Sequence, residues 1–242
     1  RTLINRNLLL KGGLWGLAAR LLSTLGFLTI SSILARTISK EDFGLFLLLF
    51  NFTLIVATFN QLGTNSIVIK LLGINLAKAQ KEKAKQVVVS ALQIVSVFSF
   101  FSCATLYLAA VEGFAPGLPT NSSNILYATI AIWAFIRSMQ VLLPELMRGL
   151  HDLRSASLYS GMLTNIFGAI LSLMLLIAGQ TGTPITLTTL LISWTTISCF
   201  VALMAARRLL LTTNAILPIQ TVNTPLKKHM LKESLPLWLS GL

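Results

Sequence analysis

Six runs of apolar residues, at about 12–35, 43–68, 86–111, 124–146, 156–179 and 185–206, constrain this chain more than any motif in it. A bilayer core is crossed by about 20 helical residues, so each run is long enough to span. The fold class that follows is all-α: a polytopic membrane protein with a six-helix transmembrane lobe. Composition agrees, since 55% of the 242 residues are hydrophobic, only 11% are charged and the mean hydropathy is +0.80. Soluble domains carry roughly 25% charged residues, and a soluble globular enzyme is excluded.

The connections are Arg36 to Asp42, Lys70 to Lys85, Glu112 to Ser123, Met147 to Ser155, Gln180 to Pro184 and the basic segment Arg207 to Lys232. Connections this short make neighbouring spans antiparallel. Nineteen Lys and Arg against seven Asp and Glu give a net charge of +12 and a pI near 10.3. In a soluble protein that balance would point to nucleic acid. Here the basic residues cluster between apolar runs, so membrane lipids are the expected partner and nucleic acid is not. One side collects Arg1, Arg6, Lys11, Lys70, Lys78, Lys81, Lys83, Lys85, Arg148, Arg154, Arg207, Arg208, Lys227, Lys228 and Lys232, and the other only Arg36 and Lys40. The positive-inside rule then makes the N-terminus and the loops after the second, fourth and sixth spans cytoplasmic.

Three regions are expected along the chain. Residues 1–206 form the six-helix lobe, and no removable signal peptide precedes the first span. Residues 207–233, with Pro218, Pro225 and Lys227-Lys228-His229, read as a basic cytoplasmic linker. Residues 234–242 begin a seventh span too short to cross, as at the truncated start of a second lobe. Leu10-Lys-Gly-Gly-Leu-Trp15 and Leu231-Lys-Glu-Ser-Leu-Pro-Leu-Trp238 share a loose pattern that fits a parallel repeat of two six-helix lobes.

Ionisable groups at membrane depth are costly and mark function by default. Arg20 lies eight residues into the first span, roughly 12 Å at helical rise. Either it snorkels back to the interface or it lines a cavity. In the fourth span Arg137, Gln140, Pro144 and Arg148 fall on one helical stripe. That stripe faces protein or water, unless a salt bridge of Glu145 with Arg137 or Arg148 only fixes packing. Asn60, Gln61 and Asn65, with Asn51 further up the second span, are either interhelical glue or hydroxyl-binding amides of a wet cavity. Gly161, Asn165, Gly168 and Ser172 form a small-residue face on the fifth span, suited to close helix packing.

Cys103 and Cys199 fall inside apolar runs, where cysteine acts as a small hydrophobe. No phosphate-binding glycine loop, HExxH, nucleophile elbow or intramembrane carboxylate pair occurs. His151 and His229 sit in cytoplasmic segments and are assigned no catalysis. No enzyme, cofactor or metal is expected.

Ile33-Leu-Ala-Arg-Thr-Ile-Ser-Lys-Glu-Asp-Phe-Gly44, followed by a span ending Gln61-Leu-Gly-Thr-Asn-Ser-Ile-Val-Ile-Lys70, resembles the opening of O-antigen-type polysaccharide biosynthesis flippases. Leu146-Met-Arg-Gly-Leu-His-Asp-Leu-Arg154 is similar to that family's loop between the fourth and fifth spans, and Ser234-Leu-Pro-Leu-Trp-Leu-Ser-Gly241 to the start of its second lobe. The family belongs to the superfamily of multidrug, oligosaccharidyl-lipid and polysaccharide exporters. The resemblance implies two six-helix lobes, alternating access, and transfer of a polyprenyl-pyrophosphate-linked oligosaccharide across the bacterial plasma membrane, between the glycosyltransferases and the polymerase of one pathway. It also implies a cationic cavity, a role that falls here on Arg20 and Arg137, with Arg148 at the mouth; Glu145 is a coupling group or a salt-bridge partner. The rival readings are a cation-coupled exporter of small amphiphiles or drugs and a non-transporting scaffold. Drug-extruding relatives usually carry an acidic residue in the first span, and this span has none.

Overall fold

The computed structural model describes residues 6–113, 124–180 and 185–216, with side chains from Leu14 onward. Among these residues there are eight α-helices and no strand: α1 (Arg6–Thr37), α2 (Lys40–Gln61), α3 (Thr64–Ala77), α4 (Lys81–Val111), α5 (Asn124–Gly149), α6 (Leu153–Ser157), α7 (Leu163–Gln180) and α8 (Leu187–Ile216). Six stretches are long and apolar enough to cross a membrane, one each in α1, α2, α4, α5 and α8 and one running from α6 through α7. The all-α polytopic reading therefore stands.

Local chemistry sets the boundaries. Between α1 and α2 the Ser39 hydroxyl accepts the Asp42 amide at 3.1 Å, and Glu41 and Asp42 occupy the first turn of α2. A side-chain cap and acidic residues at the positive end of the helix dipole fix that start. Asp152 caps α6 likewise, accepting the Ser155 amide at 3.2 Å.

In three places the helices depart from the apolar runs. The run at 43–68 is not one helix: it breaks at Leu62 (φ 46°) and Gly63 (φ 72°), and a new helix, α3, begins at Thr64. The expected loop from Lys70 to Lys85 is consequently mostly helical, with only the turn between Ala77 and Lys81 outside a helix. The fifth run is kinked within Leu158–Met162, where Ser160 (ψ 27°) and Gly161 (φ 118°) leave helical geometry. The backbone at Gly161 is open to glycine and strained for any other residue. Finally, α8 continues past 206 through Arg207 and Arg208 to Ile216. Hydropathy locates an apolar run but does not register a backbone turn within it, nor a helix continuing into basic residues. The remainder of the expected linker, 217–233, and the seventh span at 234–242 lie outside the described residues.

Helix α5 is the axis of the lobe, packed against α2, α3, α4 and α8, while α1 pairs with α7. Two apolar cores form along it. In its first half Leu126, Ile130 and Trp133 meet Ile30 and Leu34 of α1, Phe46 and Leu49 of α2, and Leu190 and Trp194 of α8. In its second half Leu142, Leu146 and Met147 meet Ile67 and Leu72 of α3, Val87 and Ala91 of α4, and Leu209 of α8. Arg137, Ser138 and Gln140 lie between these cores, so a polar belt crosses the lobe at this level. Around the outside, Leu17, Leu21, Leu25 and Leu28 of α1 and Phe100 and Phe101 of α4 are each more than half exposed. Apolar surface of that extent is stable against lipid and not against water.

The expected small-residue face on the fifth span is largely realised. A Cβ on Gly168 would stand 2.6 Å from the Trp194 ring, so only glycine lets α7 approach there. Ser172 is buried and donates to the Gly168 carbonyl, and Asn165 Nδ2 donates to the Ser23 carbonyl and hydroxyl at 2.8 Å, tying α7 to α1. Gly161 departs from the packing role, since it forms the bend.

Candidate functional site

The polar belt opens into a cavity of about 490 Å³ walled by α1, α2, α5, the kink at Leu158–Met162 and α7. Its α5 wall is the stripe read from the sequence: Arg137, Gln140, Pro144 and Arg148, with Val141 and Glu145 beside them. Helical period alone accounts for this, because residues three and four apart share a face. Pro144 also has no amide hydrogen for the Gln140 carbonyl, so the helix is locally loosened where it borders the cavity. Arg20 reaches the cavity from α1 with Ala19, Ser23 and Thr24, and Tyr159, Ser160, Gly161 and Thr164 line it from the bend. Arg20, Arg137, Gln140, Glu145 and Arg148 are therefore brought together.

Charge balance is the main property of this space. Three guanidinium groups, Arg20, Arg137 and Arg148, line it against one carboxylate, Glu145. Glu145 pairs with Arg148, its neighbour one turn along α5. Among the described residues neither Arg20 nor Arg137 has a carboxylate partner. The alternative in which Glu145 neutralises Arg137 is thus not adopted.

Arg137 is held by other means. Its Nη1 donates to Gln140 Oε1 at 3.3 Å and its guanidinium lies over the Phe50 ring, 4.9 Å from the centroid. Its Nε is buried with no hydrogen-bond partner among the described residues. Gln140 is fixed in turn, its Nε2 donating to the Ser198 carbonyl at 3.1 Å and to Thr164 Oγ1 at 3.4 Å. That leaves the Gln140 oxygen for Arg137. A guanidinium has five N–H donors in a planar fork suited to phosphate or carboxylate oxygens, and Gln140 accepts from one nitrogen of this fork.

Asn60, Gln61 and Asn65 are not brought to this cavity. Asn60 Nδ2 donates to Ser138 Oγ at 3.0 Å and its Oδ1 accepts from Ser102 Oγ, while Gln61 Nε2 donates to the Ser138 carbonyl at 2.8 Å. These bonds join α2, α4 and α5, the glue of the two readings left open by the sequence. Asn65 lies in the first turn of α3, with its Oδ1 buried and unpaired among the described residues. Asn51 bonds back to the Leu47 carbonyl of its own helix. Sequence reasoning missed Phe50, Tyr159 and Thr164, which reach the site through tertiary packing. Ser23 and Thr24 were open to detection, being three and four residues after Arg20.

Six apolar spans, with α5 as their axis, define a multi-pass α-helical membrane protein, and its cavity carries excess positive charge. Within that class the chain belongs to the polysaccharide biosynthesis protein family, whose sequence profile matches residues 9–242. No curated protein and no solved structure matches it significantly.

Proposed function

We propose that the chain forms one lobe of a flippase that moves a polyprenyl-pyrophosphate-linked oligosaccharide across the bacterial plasma membrane by alternating access, with its N-terminus cytoplasmic. The observation that carries this reading is the pair of cavity arginines without a carboxylate partner, Arg20 and Arg137. A pyrophosphate entering low dielectric loses its hydration, and fixed guanidinium donors replace that hydration with charge-assisted hydrogen bonds. Arg20 is exposed at the cavity, but Arg137 has a buried Nε; a buried cation without its own counter-ion is expensive to maintain, and an anionic cargo supplies the missing charge during each cycle. At about 490 Å³ the cavity falls within the range of small-molecule sites, enough for a headgroup, with the polyprenyl tail left in lipid.

The test is chromosomal Arg20→Ala and Arg137→Ala in the full-length protein, reading surface polysaccharide together with the amount of tagged protein in the membrane. We expect each variant to insert normally and to lose export by at least about tenfold, the equivalent of one charge-assisted hydrogen bond. Arg137→Lys should recover only part, because an ammonium lacks the planar fork. Wild-type surface polysaccharide in both alanine variants would overturn the proposal.

A further inference from the structure

We infer that Phe50 is the positioning residue of Arg137, a ring that holds the cation in place without cancelling its charge. The inference rests on the anion-binding reading of the cavity and adds a residue to it, one that the sequence did not single out. Phe50 lies on α2, half-buried, with the Arg137 guanidinium of α5 over its face at 4.9 Å. The negative face of an aromatic ring attracts a cation, most strongly where water is excluded.

The ring is itself fixed from several sides. Its centroid lies 5.2 Å from Phe27 of α1, 6.3 Å from Phe46 of α2, 6.0 Å from Trp133 of α5 and 6.3 Å from Trp194 of α8. Trp133 and Trp194 are fully buried, so Phe50 is seated against a rigid wall of the first core. Arg137 is consequently anchored by one ring face and by one oxygen, that of Gln140. Neither anchor carries net charge.

That chemistry separates Phe50 from a packing residue and from a counter-ion. A carboxylate at position 50 would hold Arg137 more strongly, and it would also compete with an incoming anion for the same N–H donors. An aliphatic side chain would fill the space and leave the guanidinium free to swing toward Glu145 or the interface. An aromatic ring restrains the guanidinium on one face and leaves its edge donors for the ligand.

The experiment measures binding of geranyl pyrophosphate, a short soluble isoprenyl pyrophosphate, to full-length protein in detergent, with a size-exclusion profile for each variant. Phe50→Leu should raise the Kd about tenfold, the effect of losing one desolvated cation–π contact, while Phe50→Tyr stays within about twofold. Fluorinated phenylalanines at position 50, which weaken the ring face with little change of shape, should raise the Kd in step with fluorine number. In an Arg137→Ala background Phe50→Leu should add nothing.

If Arg137→Ala itself binds the probe as wild type does, the anion-binding reading fails, and the assignment of Phe50 fails with it. If Arg137→Ala loses binding but Phe50→Leu does not, only the assignment of Phe50 is overturned. It is overturned equally if Phe50→Leu costs as much with Arg137 absent, or if the fluorinated series is flat, because Phe50 would then act through packing.

Discussion

Arg137 and Ser138 are consecutive residues of α5, about 100° apart around the helix, and they serve two regions with opposite properties. Ser138 belongs to a closed knot: it receives Asn60 on its hydroxyl and Gln61 on its carbonyl, and it donates to Ala134. Arg137 belongs to an open cavity, where one amide oxygen and one ring face hold it and its Nε has no partner among the described residues. Both regions place polar groups at membrane depth, and both adjoin a break in a spanning segment, at Leu62–Gly63 and at Ser160–Gly161. Each retains one buried polar atom without a partner among the described residues, Gln61 Oε1 in the knot and Arg137 Nε in the cavity, so what distinguishes them is charge: the knot is built of neutral groups and the cavity of guanidinium groups in excess. Neutral groups bonded across three helices fix helix packing, whereas a cation without a carboxylate partner is kept for an anionic ligand.

The sharpest way to break this contrast is to exchange the consequences. Arg137→Ala should remove export by about tenfold or more while leaving the amount of folded protein in the membrane unchanged. If it instead depletes the protein, Arg137 is structural and the two regions are alike. Next in size is Gly161→Ala, which places a Cβ on a backbone with φ 118°. Such strain costs about 1–3 kcal/mol, so the cavity wall should lose stability, measurable by reversible unfolding in detergent. An unchanged stability would mean that the bend relaxes freely and is not a fixed part of the cavity.

Asn60→Ala tests the knot. It removes two interhelical hydrogen bonds, one to Ser138 and one from Ser102, and intramembrane bonds of this kind contribute about 0.6 kcal/mol each. The expected outcome is a stability loss of about 1 kcal/mol with export retained. Lost export at full stability would move Asn60 from glue to substrate binding and dissolve the distinction.

The sequence made legible whatever depends on helical period and on hydropathy. The six spans follow from apolar run length, and the alignment of Arg137, Gln140, Pro144 and Arg148 follows from spacing, because all four stay on one unbroken helix. The break after Gln61 was missed although Gln-Leu-Gly-Thr carries a helix-stop signal, a glycine just past a polar end. Strong hydropathy on both sides hid it. The amides of α2 could not be assigned, because glue and ligand binding use the same residue types; only the positions of Ser138 and Ser102, 78 and 42 residues away from Asn60, decide between them. Phe50 had no signal at all, since one phenylalanine among thirteen becomes distinct only when an arginine from another helix lies over it.

The smallest expected effect belongs to Glu145→Gln, and it separates the two transport readings. Glu145 pairs with Arg148, the side chains being 18% and 38% exposed respectively. A partly exposed pair one turn apart on a helix contributes about 0–1 kcal/mol, and glutamine keeps an oxygen facing the guanidinium. Stability should hardly move. If the cavity carries a pyrophosphate, removing its one carboxylate makes the space more positive, and export should stay within about twofold of wild type. If instead the protein were a cation-coupled exporter that loads its proton or cation on Glu145, the same substitution would abolish transport while the arginine variants kept it. The two readings therefore predict opposite rankings of one carboxylate and two arginines, and surface polysaccharide and efflux of a fluorescent amphiphile, both measured in Glu145→Gln, Arg20→Ala and Arg137→Ala strains, decide which ranking holds.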